Sequence, residues 1–168
     1  HGRSHALRAD PLSFSNAIQA ACSEFGAFHT MIGHSQGANA VLHASVKGVV
    51  SSRIVLLAPL VSVESHLRRA CALVKLSAEG TELFLRKITE LVGVPPSDFE
   101  GHVMGSTLNM RTLIVHDCRD KEVPISEAET LANEMSLARL HISDGLGHRR
   151  LLADLDTVNQ VVSLMNET

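Results

Sequence analysis

Apolar and polar positions along the chain follow two rhythms. Short runs rich in apolar and β-branched residues, at 28–32, 53–58, 112–116 and 138–143, read as strands. Between them apolar residues recur at steps of three and four, the spacing of one helix face: Phe14, Ala17, Ile18, Ala21 and Phe25; then Ala38, Val41, Leu42 and Ser45; then Leu131, Ala132 and Met135; finally Val158, Val161, Val162 and Met165. Start and stop signals agree. Asp10-Pro11 supplies a cap and a first-turn proline, Gly26 and Gly48 are stops, and Ser126 with Glu129 has capping-box spacing. Strands that alternate with helices imply right-handed crossovers, a parallel sheet and an α/β fold.

The alternation breaks between residues 62 and 108. This stretch is too long for a simple crossover and holds two or three helical patterns without a convincing strand. Leu67, Ala70, Cys71 and Val74 share one face; Leu85, Ile88 and Val92 form a second helix ending at Gly93; Pro95-Pro96 and Ser97-x-x-Glu100 open a short third. Residues 62–108 are therefore expected to be a helical cap inserted over the sheet, with an ordinary crossover packed on the sheet as the competing reading.

The junction after the first strand carries the chemistry. Gly33-His34-Ser35-Gln36-Gly37-Ala38 runs from an apolar strand into a helical pattern, the layout of a nucleophile elbow. A serine on so tight a turn has a strained backbone, and glycines two before and two after it avoid collision. The same turn aims the first helix N–H groups at a reacting carbonyl, so Gln36 N–H is a candidate oxyanion donor. A serine hydroxyl needs an imidazole to take its proton, and the imidazole needs a carboxylate to orient it. Carboxylates follow the third strand in Asp117-Cys118-Arg119-Asp120-Lys121-Glu122-Val123-Pro124. A histidine ends the glycine-flanked loop Asp144-Gly145-Leu146-Gly147-His148 after the fourth. Ser, Asp, His is the hydrolase chain order.

With these three motifs in order, the sequence resembles the α/β-hydrolase superfamily, and within it bacterial serine esterase-like hydrolases with a helical cap. The resemblance implies Ser35 as nucleophile, Asp120 as acid and His148 as base. It also implies that Gly33, His34 and Gly37 shape the elbow. Asp117 stands where many members have glycine and is the rival for the acid role; the spacing to Val123-Pro124 favours Asp120. His1-Gly2-Arg3-Ser4 resembles the end of the superfamily's Gly-His-Gly-x-Ser turn after its fourth strand, because only one helix fits between it and residue 28. By that reading, and with no initiator methionine, the chain is the C-terminal part of a larger protein, whose second oxyanion donor lies elsewhere and whose elbow strand has an open edge.

Composition narrows the partners. The 168 residues carry a formal charge of -3 and include five Phe, no Trp and no Tyr, so neither a phosphate-neutralising patch nor a stacking platform for nucleic acid is visible. No apolar run approaches a membrane span. Cys22, Cys71 and Cys118 are odd in number and widely spaced, which argues against a disulfide framework and for a reducing, cytoplasmic setting. The ten histidines lack metal-ligand spacing, and no organic cofactor is implied. Arg149-Arg150 reads either as an anion contact or as a solvated helix start. The expected function is hydrolysis of a small-molecule carboxylic ester or thioester through an acyl-enzyme. A non-catalytic binding module of the same fold, or a fragment inactive by itself, is the alternative.

Overall fold

The computed structural model describes residues 8–167. Four strands, β1 (Phe28–His34), β2 (Ser51–Leu57), β3 (Arg111–Asp117) and β4 (Ala138–Ser143), form one parallel sheet in the order β1-β2-β3-β4. The helices are α1 (Pro11–Phe25), α2 (Gln36–Val46), α3 (Val63–Leu73), α4 (Ala78–Val92), α5 (Gly101–Ser106), α6 (Ile125–Glu134), α7 (Gly147–Arg150) and α8 (Leu155–Asn166). This is the α/β arrangement that the alternating pattern predicts.

Central strands of a parallel sheet are covered on both faces and so read as near-continuous apolar runs. Ile54, Leu56 and Ile114 point into a layer where Ala38, Val41 and Leu42 of α2 meet Met104, Leu131 and Met135. Their neighbours Val55, Leu57, Leu113 and Val115 point the other way, against Leu151 and Leu164. β1 forms one edge of the sheet, paired only with β2 among the described residues.

Some helix faces differ from the expectation. α1 starts and stops as read: the Asp10 side chain accepts from Ser13 N at 2.8 Å and Gly26 closes the helix at φ 83°. Its inward stripe, however, is Pro11 and Ser15, with Ile18 and Cys22 beside them, while Phe25 is 80% exposed. A 2.8 Å hydrogen bond between Ser15 Oγ and His43 Nδ1 turns the polar residue inward. Ala17 and Ala21 instead line an open groove against Phe28, Thr30 and Ile32 on the free side of β1. In α8, Thr157 and Leu164 are buried, and Val158, Val162 and Met165 are partly exposed. The capping box at Ser126 is not formed, because α6 starts straight after Pro124 with Ser126 inside its first turn.

Between β2 and β3 lie α3, α4, a 3-10 turn (Pro96–Phe99) and α5. Ser62 and Glu100 pair as an antiparallel bridge at the neck of this segment, and Ser62 Oγ donates to Glu100 Oε1 at 2.9 Å. Met104 and Leu108 belong to the main core, so the last part of the 62–108 stretch is built into the body of the domain. No helix among the described residues is long and apolar enough to cross a membrane.

Candidate active site

Parallel strands deliver the loops that follow them to one edge of the sheet. Ser35 follows β1, the segment 118–124 follows β3, and the segment 144–148 follows β4. Ser35 has φ 55° and ψ -122°, a positive-φ conformation that non-glycine residues rarely adopt. Its N–H donates to Leu57 O at 2.9 Å, and its carbonyl accepts from Ala38 N at 3.0 Å and Leu60 N at 3.2 Å. Backbone bonds on three sides hold the strained residue in place. Gln36 is the first residue of α2, where the helix itself provides no acceptor for the N–H.

The two elbow glycines are not equivalent. A Cβ at Gly33 would lie 2.5 Å from Gly37 O and 2.6 Å from Ala38 Cα, whereas one at Gly37 would meet nothing within 4 Å. Close approach of backbone to backbone demands glycine before the serine. It does not demand glycine after it, contrary to the elbow argument from sequence.

His148 is buried and its Nδ1 lies 2.7 Å from Asp120 Oδ2. An ionised carboxylate only accepts, so Nδ1 carries the proton and Nε2 is left as the acceptor. Asp120 Oδ1 accepts from Glu122 N at 2.8 Å and Val123 N at 3.0 Å. Burial pushes the Asp120 carboxyl up, but the Val123 N–H, His148 and the Glu122 N–H together hold it below its usual value. A second buried imidazole lies close by: His116 Nε2 donates to Val123 O at 3.0 Å and is 3.3 Å from Asp120 Oδ2.

Asp117 is engaged elsewhere. Its carboxylate accepts from Arg119 N at 3.0 Å, Ser143 Oγ at 2.9 Å and Leu146 N at 2.8 Å. Burial raises its pKa, but the Gly147, Leu146 and Arg119 N–H groups and Ser143 outweigh that and bring it to about 2. It fixes the backbone of the histidine loop. His34 Nε2 donates to His148 O at 2.9 Å, and the two rings lie 4.7 Å apart between centroids. Burial depresses the His34 pKa, which suits a neutral donor to that carbonyl.

Ser35, Gln36 and His148 line one cleft of about 320 Å³ together with Leu60, His66 and Glu122. That volume is at the small end for ligand sites. Two lining residues, His66 and Glu122, and one buried support behind the cleft, Asn39, are not marked as site residues by the sequence motifs. His66 lies next to Leu67 on α3 and Glu122 follows Asp120 by two; neither position has a pattern that marks it. Asn39 had a readable signal, a polar residue inside the apolar stripe of α2. It is fully buried and its amide donates to Leu60 O at 3.2 Å, Val61 O at 3.3 Å and Phe99 O at 2.8 Å. Arg149 pairs with Glu122 and Arg150 bonds the Leu146 and Gly145 carbonyls. Among the described residues no group of three His, Cys, Asp or Glu is placed to hold a metal, and the three cysteines are free thiols. His1-Gly2-Arg3-Ser4 lies outside the described residues.

Comparison with solved structures identifies this topology. An esterase from Exiguobacterium antarcticum superposes with a TM-score of 0.72 at 15% identity, over 99% of this chain and 78% of that one. The meta-cleavage product hydrolase of Pseudomonas fluorescens IP01 gives 0.62 at 17% identity, over 97% and 74%. A bromoperoxidase from Bacillus anthracis gives 0.67 at 13% identity, over 98% and 77%. No family model and no curated protein matches the sequence. The chain has the α/β-hydrolase fold.

Proposed function

We propose that the chain is a serine hydrolase acting on carboxylic esters or thioesters. The observation that carries this reading is the buried His148, held 2.7 Å from Asp120, in one cleft with a serine at positive φ. Esterases and hydrolases among the structural relatives support it. Ser35 Oγ attacks the substrate carbonyl carbon as its proton passes to His148 Nε2. The carbonyl oxygen takes up negative charge, and Gln36 N–H faces it from the first turn of α2. Collapse breaks the bond to the leaving oxygen or sulfur, which takes the proton from His148. Water then repeats the sequence on the acyl-enzyme, with His148 as base, and frees the acid and Ser35. Asp120 keeps the imidazole in its Nδ1–H tautomer throughout.

Reaction with a short-chain fluorophosphonate, read by intact mass, tests this. One adduct per chain that disappears in Ser35→Ala is the expected result. An unlabelled protein with native far-UV circular dichroism overturns the hydrolase reading of this chain and leaves a binding module or a fragment inactive by itself.

A further inference from the structure

The cleft opens into different surroundings on its two sides. On one side it shares Gln36, Val63 and Leu67 with a chamber of about 350 Å³, whose remaining wall includes Ile88, Leu91 and Phe99. The charged residues of that lining are Arg8 and Asp10, which face each other at 3.9 Å. On the other side it shares Glu122 and His148 with a hollow of about 420 Å³ bordered by Arg119, Lys121 and Arg150. A wider hollow of about 720 Å³ continues past His66 and Glu122, with Arg69 and Lys121 on its border.

Charge is not balanced around the second side. Arg119 is tied to Asp144, Arg149 to Glu122 and Arg69 to Glu127. Lys121 makes no ion pair among the described residues, and Arg150 bonds only backbone carbonyls. Two cations without an ion-pair partner among the described residues therefore line the same hollow as His148. They are solvent-exposed, so their pull on an anion is screened and acts mainly on encounter and binding.

The chemistry of ester cleavage tells the sides apart. The leaving oxygen or sulfur must take its proton from His148 Nε2, so the leaving group lies on the His148 side. The acyl carbon stays on Ser35, and with the leaving group on the His148 side its chain continues toward Val63 and Leu67, the wall shared with the apolar chamber. We infer that this cleft takes an ester or thioester with an apolar acyl chain, seated in the chamber between α3 and α4, and a leaving group that carries a carboxylate or phosphate, seated against Lys121 and Arg150. The inference rests on the hydrolase reading above and adds which half of the substrate is apolar and which is charged.

The test uses the whole chain in two arms. In the first, 4-nitrophenyl esters from acetate upward are compared. Burial of each added methylene in an apolar chamber is worth about threefold to fourfold in kcat/KM until the space is filled. Ile88→Trp, and separately Leu91→Trp at a more exposed site, shift the best chain length downward. In the second arm the acyl group is fixed and the leaving phenol carries a carboxylate, a phosphate or a neutral carboxamide. The anionic esters have lower KM than the carboxamide, Lys121→Ala with Arg150→Ala reduces that ratio several-fold, and added salt does the same. Whichever of carboxylate and phosphate gains more identifies the source of the charge. Labelling of Ser35 by the short fluorophosphonate is the control. With labelling intact, a flat response to chain length, an optimum unmoved in both Trp variants or equal KM for charged and neutral leaving groups overturns this assignment alone. Loss of labelling overturns the hydrolase reading together with it.

Discussion

A methyl group at Gly33 would stand 2.5 Å from the carbonyl oxygen of Gly37. Backbone cannot retreat from such a contact without moving the elbow. Gly33→Ala is expected to destabilise by about 1–3 kcal/mol or more, the usual result of overpacking. Gly37→Ala meets open space inside α2 and should be neutral or gain about 0.5–1 kcal/mol from helix propensity. Urea unfolding of the two variants measures the difference. Asp117 gives a second prediction. Its folded pKa of about 2 lies below the ordinary 3.8, worth about 2 kcal/mol. Because the shift is downward, that stability is complete above about pH 4 and lost as pH falls through about 2. Asp117→Asn should thus lower the unfolding free energy markedly at pH 7, and the gap from the parent should shrink in titrations toward pH 2. In sequence Asp117 and Asp120 were rival acids separated only by spacing. A carboxylate that receives three backbone N–H groups and one that receives an imidazole look alike until the loops are folded together.

At the next scale, the helical segment between β2 and β3 is fastened at its neck by buried polar contacts. Asn39 reaches three carbonyls on its two stems, and Glu127 Oε2 accepts from Val61 N at 2.7 Å and Ser62 N at 3.1 Å while Oε1 accepts from Arg69. Removing one partner leaves buried groups unsatisfied. Asn39→Ala should cost about 1–3 kcal/mol and Glu127→Ala should expose residues 63–99 to limited proteolysis before the rest of the chain unfolds. Cleavage spread evenly over the chain would count against a separately fastened neck. The start of α6 is the element whose signal the fold overrides. Ser126 and Glu129 have the spacing of a capping box, but Pro124 sets the helix start and leaves Ser126 inside the first turn. The strands were legible because central parallel strands are apolar on both faces. Helix faces were legible where they meet the sheet, as in α2, and less so in α1 and α8, whose apolar positions are shared between core and surface.

At the scale of the whole fold, β1 sits at an edge of the sheet formed by the described residues, with Ile32 52% exposed beside an apolar groove. An open strand edge beside apolar surface promotes association between chains. Ile32→Lys should reduce light scattering at high concentration while leaving the far-UV spectrum unchanged, as a charge on an edge strand does. The order β1-β2-β3-β4 has a further effect, on the timing of assembly. Among the described residues each strand after β1 pairs with the one made just before it, so each finds its template already present as the chain emerges from the ribosome. Most of these pairings close short loops. The exception is β2 with β3, whose pairing must wait for the whole helical segment between them, so its closure carries the largest loop entropy cost of the three.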